Sequence, residues 1–331
     1  MIPDLQNRIN AEIDKFSTEL SVPPAELYEP IRYMLSLGGK RIRPLFVLMA
    51  AGLFSEKTDN AIHTALAVEL FHNFTLVHDD IMDNAPLRRN KPTVHSKWNN
   101  STAILSGDVM MVKAYQLLSR SKLKPEVRDA ALTAFNEMAV KVCEGQQLDL
   151  NYEQLFRISI PQYFKMIELK TAVLIAASLQ LGALIGGASE ADAKNLYEFG
   201  RNTGLAFQLQ DDLLDVYGEE EKFGKLKGGD IIANKKTFLL LKASDIATSN
   251  HYLKEELEQW LGVKTTNEKD SSEKVAAVTR IYDQVNIKKV TEEEINSLHQ
   301  KALAVLEKIS ASDTKKRALA AFTSSLLNRE A

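Results

Sequence analysis

The distribution of proline constrains the fold of this chain more than any other feature of its sequence. All nine prolines lie at or before Pro161, and the remaining 170 of the 331 residues contain none. Proline disrupts a helix interior because it lacks the backbone N–H and its ring clashes with the preceding turn. The proline-free half carries apolar residues at helical spacing, so the sequence predicts long α-helices there.

Signals for β-structure are weak along the whole sequence. No segment alternates strictly between apolar and polar residues, and no Asn-Gly or Asp-Gly pair marks a tight hairpin. Residues 85–92 and 265–272 are rich in turn-forming or polar residues, and we interpret both as surface loops. Further on, Thr291-Glu-Glu-Glu294 predicts a capping box that begins a helix. We therefore predict an all-α fold and interpret residues 1–331 as a single helical domain.

The composition is that of an ordinary globular protein with no sign of a nucleic-acid partner. Hydrophobic residues make up 45%, charged residues 26%, and the net charge is −3. This charge gives no overall attraction to a polyanion. The longest apolar stretch, residues 172–188, is interrupted by Ser178 and Gln180, so we interpret it as a buried helix and predict no membrane span. A single cysteine, Cys143, and a polar N-terminus without a targeting signal predict a cytoplasmic protein.

A repeated acidic motif carries the strongest chemical signal. Asp79-Asp-Ile-Met-Asp83 and Asp211-Asp-Leu-Leu-Asp215 share the pattern D-D-x-x-D, and each follows a helical stretch. Residues four apart lie on one face of a helix, so the outer aspartates of each motif project the same way. Carboxylates this close repel one another unless cations neutralise them. Because oxygen-only ligands favour Mg²⁺ or Mn²⁺, and Mg²⁺ also binds substrate phosphate, we predict two metal-binding motifs.

Basic residues cluster in short segments that precede or follow these motifs. The segments are Gly38-Gly-Lys-Arg-Ile-Arg-Pro44, Leu87-Arg-Arg-Asn-Lys91, Gly224-Lys225, Lys227-Gly-Gly-Asp230 and Lys235-Lys236. Each segment alone is typical of a solvated loop. Beside acids that bind metal, however, they supply the charged donors that a diphosphate site needs.

Two further patterns have a plainer interpretation. Glu69-Leu-Phe-His72 matches the E-x-x-H pattern of di-iron helical bundles, but such a site needs a second copy and none of the six histidines provides one. Lys170 and Thr171 lie in a helical stretch, where an exposed lysine and a threonine bonded to the preceding turn are the simplest expectation.

With these residues in view, the sequence resembles the trans-isoprenyl diphosphate synthase (polyprenyl synthetase) family. The resemblance covers residues 28–242 and rests on both acidic motifs together with GGKRIRP and LRRNKPTVH, in the family's order and spacing. It implies a Mg²⁺-dependent prenyltransferase, built as one bundle of long helices around a deep cavity and usually a homodimer. Asn90 stands where many members have glycine, and asparagine tolerates the left-handed conformation better than most residues.

The resemblance implies roles for individual residues. Asp79 and Asp83, supported by Asp80, hold two Mg²⁺ ions on the allylic diphosphate, and Asp211, near Asp215, holds a third. The residues that bind isopentenyl diphosphate are Lys40, Arg43, His72 and Arg89. Those around the allylic diphosphate are Arg88, Lys170, Thr171, Gln208, Lys225 and Lys235, with Gln146 and Asp149 nearby.

The implied reaction is head-to-tail prenyl transfer. Metal ions and basic residues, Arg88 and Lys170 among them, stabilise the departing pyrophosphate so that the allylic C–O bond ionises. The double bond of isopentenyl diphosphate then attacks the carbocation. The allylic substrate is dimethylallyl, geranyl or farnesyl diphosphate.

The length of the product is expected to depend on Phe74. This residue lies five positions before Asp79, about 7.5 Å down the helix axis. In the resembling family, a bulky aromatic at this position accompanies short products. We therefore predict geranylgeranyl diphosphate (C20), with farnesyl diphosphate (C15) as the alternative. The plainer interpretation is that Phe74 only packs in the core, as most phenylalanines on a helix face do.

Two other functions share parts of this pattern. A class I terpene cyclase has the first acidic motif, but it normally carries a different second metal motif and does not need the Lys40 and Arg43 set. A non-catalytic subunit of a two-component synthase usually lacks aspartates from one motif, and none is missing here.

Overall fold

The computed structural model describes residues 2–218 and 228–327. Helices dominate this part of the chain, which confirms the all-α prediction. In chain order they are α1 (Ile2–Glu19), α2 (Ala25–Ser36), α3 (Ile42–Phe54), a 3₁₀ turn (Asp59–Ala61), α4 (Ile62–Met82), α5 (Val94–Lys97), α6 (Asn100–Ser119), α7 (Pro125–Glu153), α8 (Ile160–Ile167), a π turn (Glu168–Ala172), α9 (Val173–Gly186), α10 (Glu190–Tyr217), α11 (Gly229–Ile232), α12 (Phe238–Ala247), α13 (His251–Gly262), α14 (Glu268–Gln284), α15 (Ile287–Leu306) and α16 (Asp313–Leu327).

Backbone contacts divide the chain into two compact units. Unit 1 consists of Met1–Ala139, Leu174–Gly200 and Val305–Leu319, and unit 2 consists of Val140–Val173, Arg201–Ala304 and Ala320–Ala331. The interpretation of residues 1–331 as one domain stays a prediction.

In unit 1, α4 packs against α3 and α6, and this packing supports the end of α4 that carries the first acidic motif. Almost every residue of α3 is buried, and most of α4 between Thr64 and Val77 is buried as well. Gly107 of α6 allows α4 to come close, because a Cβ there would lie 2.4 Å from Nε2 of His78. Removing these side chains from water is the main favourable contribution to this arrangement.

In unit 2, the C-terminal half of α10 belongs to an apolar core shared with α8, α12 and α14. Tyr163, Leu209, Phe238 and Ile281 are buried members of this core. A capping box at Ser159 and Gln162 fixes the start of α8. The core therefore holds the last turns of α10, which carry the second acidic motif, against α8.

The segment 85–92, predicted to be a loop, contains a minimal hairpin. Its strands are β1 (Leu87–Arg88) and β2 (Lys91–Pro92), paired antiparallel with Arg88 opposite Lys91. Arg89 and Asn90 form the turn with φ values of 52° and 59°, the left-handed conformation that a two-residue type I′ turn requires. Strands this short and largely exposed need no apolar alternation, which explains the lack of a strand signal in residues 85–92.

Two predicted helix boundaries near the C-terminus are wrong. Thr291 does not begin a helix: α15 starts at Ile287, and the buried Thr291 hydroxyl donates to the Ile287 carbonyl at 2.9 Å. A threonine inside a helix can satisfy its hydroxyl in this way. Most of segment 265–272 is helical rather than loop, because Asn267 caps α14 by accepting from the Asp270 amide at 3.0 Å.

The apolar segment that raised the question of a membrane span lies within a continuous helical run, Ile160–Gly186. Its most apolar window has a mean hydropathy of 1.6, and 67% of that window is buried. A mostly buried helix of this kind is typical of a protein core, and the structure agrees with the interpretation of residues 172–188 as a buried helix.

Candidate active site

The first acidic motif occupies the last turn of α4, and its three aspartates have different surroundings. Asp79 is half-buried, Asp83 is exposed, and only 1% of Asp80 is exposed. Asp80 accepts two hydrogen bonds from Nε of Arg88 at 2.9 Å and one from its Nη2 at 2.7 Å. The middle aspartate thus holds Arg88, while the outer two remain one turn apart on the side of the helix predicted to bind metal.

Arg89 connects the hairpin to the loop that precedes α3. Its Nη1 donates to the Gly38 carbonyl. A Cβ on Gly39, whose φ is 136°, would lie 2.8 Å from Nη2 of Arg89, so only glycine fits there without displacing the guanidinium. The structure therefore places the GGKRIRP loop directly beside the turn that carries Arg88 and Arg89.

Arg43 and His72 form a contact within this cluster. Arg43 lies in the first turn of α3, and its Nη1 is 3.1 Å from Nε2 of His72 on α4. A guanidinium can only donate, so Nε2 must accept and a neutral His72 carries its proton on Nδ1. Burial lowers the pKa of His72 well below its ordinary value, and four arginines, Arg43 first among them, lower it further. His72 is therefore a neutral ring that Arg43 orients.

The surroundings of Arg89 show that the cluster is strongly positive. Burial lowers the pKa of Arg89, and the charges of Arg41 and Arg88 lower it further, although Glu69 opposes them. Lys40 is exposed on the same loop. Four predicted residues, Arg43, His72, Arg88 and Arg89, thus lie within electrostatic reach of one another. The three arginines of this group favour binding of a multiply charged anion.

In unit 2, the second acidic motif repeats the arrangement of the first. Its middle residue, Asp212, is buried and accepts hydrogen bonds from the Tyr163 hydroxyl at 2.6 Å and from Nε2 of Gln208 at 2.9 Å. Burial, reinforced by the nearby charge of Asp230, raises the pKa of Asp212 to about 8. Asp215 accepts from the Asp230 amide at 3.0 Å, and Asp211 is half-buried. Gln208, predicted from the resemblance to contact substrate, also supports Asp212.

Lys170 and Thr171 lie on a π turn rather than in a regular helix. The backbone of α7 comes so close that a Cβ on Gly145 would lie 2.2 Å from the Lys170 nitrogen. Nζ of Lys170 donates to Asp149, and the Thr171 hydroxyl donates to Gln208 at 2.9 Å. The plainer expectation, an exposed lysine and a threonine bonded to its own helix, is therefore wrong. Single π turns of this kind occur frequently at functional sites.

The remaining predicted substrate-binding residues are Lys235 and Lys225. Nζ of Lys235 is 3.9 Å from a carboxylate oxygen of Asp230. Lys225 lies outside the described residues.

Comparison with known proteins identifies the family. The family model "Polyprenyl synthetase" matches residues 24–279. The chain belongs to the polyprenyl synthetase family. It is 39% identical over 245 residues to a protein of Methanosarcina mazei named geranylgeranyl diphosphate synthase, an alignment that covers 73% of this chain and 75% of that one.

Other relatives bear on the fold and on the product. A crystal structure described as geranylgeranyl pyrophosphate synthase superposes with a TM-score of 0.94 at 41% identity, covering 100% of this chain and 99% of the other. A protein of Natronomonas pharaonis named geranylfarnesyl diphosphate synthase is 36% identical and is covered over 70% of its length, with 67% of this chain. The predicted family, its all-α fold and its prenyltransferase class are confirmed.

Polyprenyl synthetases use Mg²⁺, and the donors at both motifs of this chain fit that ion. Among the described residues, no three His, Cys, Asp or Glu side chains form a metal cage. The candidate ligands Asp79 and Asp83, and Asp211 in unit 2, are instead carboxylates that supply only part of a shell. Because Mg²⁺ keeps several waters and binds through one or two carboxylates plus phosphate, this donor set suits it.

Phe74 lies in the apolar part of α4, with 7% of its surface exposed. Its ring packs edge-to-face on Phe71 at 5.4 Å and on His78 at 4.8 Å, measured between ring centroids. Phe71 in turn contacts Phe135 at 5.4 Å. Phe74 is thus the first phenylalanine of an aromatic series that continues away from Asp79.

Sequence reasoning assigned no role to three polar residues that the structure places at these clusters. Arg41 and Glu69 form a buried ion pair of 2.6 Å beneath the GGKRIRP loop. Asp230 contacts Asp215 through its backbone amide and Lys235 through its carboxylate. The only available signal for Glu69 was its charge within an apolar helical stretch, and nothing in the sequence shows that it meets Arg41.

Proposed function

We propose that this polyprenyl synthetase condenses isopentenyl diphosphate with an allylic diphosphate and releases geranylgeranyl diphosphate (C20). The observation that carries the proposal is the cluster of unit 1, where Arg43, His72, Arg88 and Arg89 gather beside the motif that ends α4. A site that combines guanidinium donors with carboxylates suits a diphosphate and its metal ions.

The residues of the first cluster are proposed to divide between the two substrates. Lys40, Arg43, His72 and Arg89 bind the diphosphate of isopentenyl diphosphate. Arg88, held by Asp80, points its remaining donors toward the allylic diphosphate. In unit 2, Lys170, Thr171, Gln208 and Lys235 contribute to binding of the allylic diphosphate.

Metal binding is assigned to Asp79, Asp83 and Asp211. We propose three Mg²⁺ ions per active site, with Mn²⁺ as a substitute. When bound, the metal neutralises charge on the departing pyrophosphate.

In the reaction, the allylic C–O bond breaks and leaves a carbocation and pyrophosphate. The terminal double bond of isopentenyl diphosphate attacks the carbocation, and loss of a proton to pyrophosphate generates the new allylic double bond. The product is one isoprene unit longer than the allylic substrate. Arg88 and Lys170 stabilise the pyrophosphate as its negative charge develops.

The C20 product is supported by the position of Phe74. With the diphosphate held at Asp79, a tail that runs along α4 meets the Phe74 ring about 7.5 Å from the motif. The aromatic series behind it, Phe71 and Phe135, would limit further growth. The competing product is farnesyl diphosphate (C15), and the names of relatives support C20 over C15.

We further propose that the protein is a cytoplasmic homodimer of single-domain chains. The exposed surface of α6 supports the dimer, because Ile104, Leu105 and Val112 expose 45%, 57% and 52% of their surface there. Large aliphatic side chains grouped on one helix are typical of a protein interface. Light scattering after gel filtration measures the mass, and Leu105→Glu is expected to shift it toward the monomer.

The function is tested by incubating the pure protein with labelled isopentenyl diphosphate, Mg²⁺ and each allylic primer in turn. We expect a labelled C20 diphosphate that comigrates with geranylgeranyl diphosphate after extraction. A cyclic hydrocarbon made from the primer alone would instead identify a terpene cyclase. No product with any primer would identify a non-catalytic subunit, and either result would overturn the proposal.

A further inference from the structure

Arg41 has an unusual environment for an arginine in a surface loop. It lies between Lys40 and Arg43, only 6% of it is exposed, and its φ of 51° is left-handed. Its Nη1 is 2.6 Å from Oε1 of Glu69, and its Nη2 donates to the Leu35 carbonyl at 2.7 Å. An L-residue adopts the left-handed conformation at a cost in free energy, so it persists only where other contacts enforce it. Here those contacts are the two hydrogen bonds of the guanidinium.

Glu69 is itself held in place. Only 3% of it is exposed, and its Oε1 also accepts from Nδ2 of Asn73 at 3.1 Å. The Asn73 amide is fixed in turn by the Glu69 carbonyl at 2.8 Å. The carboxylate is therefore a rigid acceptor that projects from α4 beneath the loop.

Glu69 and His72, the two residues of the E-x-x-H pattern on α4, each contact one arginine of the GGKRIRP segment. Glu69 and His72 are three positions apart on α4, so they lie on neighbouring parts of one face. Glu69 contacts Arg41, and His72 contacts Arg43 through Nε2 at 3.1 Å. The side chains of Glu69 and His72, whose spacing resembles half of a di-iron site, therefore bind two arginines.

We propose that Arg41 and Glu69 are positioning residues that set the affinity for isopentenyl diphosphate. Their ion pair fixes the Gly38–Arg41 turn, so Lys40 and Arg43 point their donors at the diphosphate before it arrives. A loop ordered in advance loses less conformational freedom when the ligand binds. The inference deepens the proposed function and rests on it, because isopentenyl diphosphate is the ligand assigned to this loop.

Arg88, the residue of the cluster assigned to the allylic diphosphate, is held in place by different contacts. Arg88 is held by Asp80 through three hydrogen bonds, and none of them involves Arg41 or Glu69. Loss of the Arg41–Glu69 pair should therefore weaken binding of one substrate and spare the other. A general loss of folding would not make this distinction.

The variant that tests the proposal must remove both charges together. Removal of one partner would leave the other charge buried and would confound binding with folding, whereas an apolar replacement of both often leaves stability unchanged. The double variant Arg41→Met/Glu69→Leu meets this need, and Asn73 keeps its hydrogen bond to the residue 69 carbonyl. Arg41→Lys serves as a conservative variant, because lysine can pair with Glu69 but lacks a second planar donor for the Leu35 carbonyl.

The readout is steady-state kinetics with each substrate varied in turn. We expect the double variant to raise KM for isopentenyl diphosphate about tenfold and to change KM for the allylic primer by less than about twofold. Arg41→Lys should give an intermediate KM for isopentenyl diphosphate. Leu66→Ala is the matched control, since Leu66 is buried on α4 and its truncation destabilises the same helix while both charges of the pair stay in place. It should leave both KM values unchanged.

Binding of isopentenyl diphosphate by calorimetry, without any primer, separates the two hypotheses. If the wild-type protein forms no prenyl product, the proposed function fails, but weaker isopentenyl diphosphate binding by the double variant would still support the positioning role. If wild-type turnover is normal and the folded double variant keeps the wild-type KM for isopentenyl diphosphate, the positioning role is refuted. Equal rises in both KM values would also refute it. Should the double variant fail to fold, Arg41→Lys decides by the same comparison, because it keeps both charges and loses only the planar donor to the Leu35 carbonyl.

Discussion

Replacing Phe74 by alanine should lengthen the product and also destabilise the protein. Phe74 is 7% exposed and packs edge-to-face on Phe71 and His78. Truncation of a buried phenylalanine costs about 3–5 kcal/mol, and each lost aromatic pair is worth about 0.5–1.5 kcal/mol of that sum. This cost is expected whether or not the ring limits the product, so stability alone does not test its role.

The product distribution does test that role. Without the Phe74 ring, the next obstacle on the same helix is Phe71, three residues or about 4.5 Å further along the axis. We therefore expect Phe74→Ala to add one isoprene unit, giving mainly C25, and Phe74→Ala/Phe71→Ala to add more. The assay is chromatography of dephosphorylated labelled products at a temperature where the variants remain folded.

The matched control for Phe74→Ala is Phe46→Ala on α3, since Phe46 is fully buried in unit 1 and is assigned no place along the tail. It should lose comparable stability and still make the wild-type product. A folded Phe74→Ala protein with an unchanged product distribution would show that Phe74 is only part of the core.

Three further predictions concern charge. Asp79→Ala or Asp211→Ala should lower kcat by several orders of magnitude while the fold survives, and near-normal turnover at saturating Mg²⁺ would refute the metal assignment. Arg89→Ala should chiefly raise KM for isopentenyl diphosphate and Arg88→Ala that for the allylic primer, each by about one to two decades; equal effects on both substrates would contradict the division. Because burial and neighbouring arginines lower the pKa of His72, the native state takes up its proton less readily than the unfolded state. Wild-type Tm should therefore fall relative to His72→Gln as pH drops below about 6.5, and a constant difference between the two would argue against a neutral His72.

Features that depend on neighbouring residues in the chain were predictable. The D-D-x-x-D spacing places Asp79 and Asp83 one helical turn apart in any helix, and the structure shows each motif at the end of one. The Gly38-Gly39 pair was predicted to lie in a loop because glycine favours turns, and in the structure it lies between α2 and α3. The all-α class followed from helical periodicity and from the absence of proline after Pro161.

Features that depend on contacts between distant segments were not predictable. The π turn at Lys170 and Thr171 accommodates the backbone of α7 at Gly145, and no local pattern announces that approach. The Arg41–Glu69 pair joins residues 28 positions apart. Thr291 matched a capping box in sequence, yet the buried Ile287 in the preceding turn extends the helix further. In each case the structure depends on a tertiary contact that the local sequence does not reveal.

The middle aspartates of the two motifs lead to a last prediction. In a helix, successive residues are rotated by about 100°, so the second acid of D-D-x-x-D points away from the face shared by the first and last. In this chain it points into protein, where a buried carboxylate needs hydrogen-bond partners. Asp80 finds Arg88, and Asp212 finds Tyr163 and Gln208.

Asp80→Asn should therefore weaken the hold on Arg88 rather than on metal. We expect it to raise KM for the allylic primer about tenfold and to leave the Mg²⁺ concentration for half-maximal activity unchanged. Asp83→Asn is the matched comparison, because it removes the same charge three residues later and should raise that Mg²⁺ requirement. If Asp80→Asn raised the Mg²⁺ requirement as much as Asp83→Asn does, Asp80 would be a metal ligand, and its contact with Arg88 would be secondary.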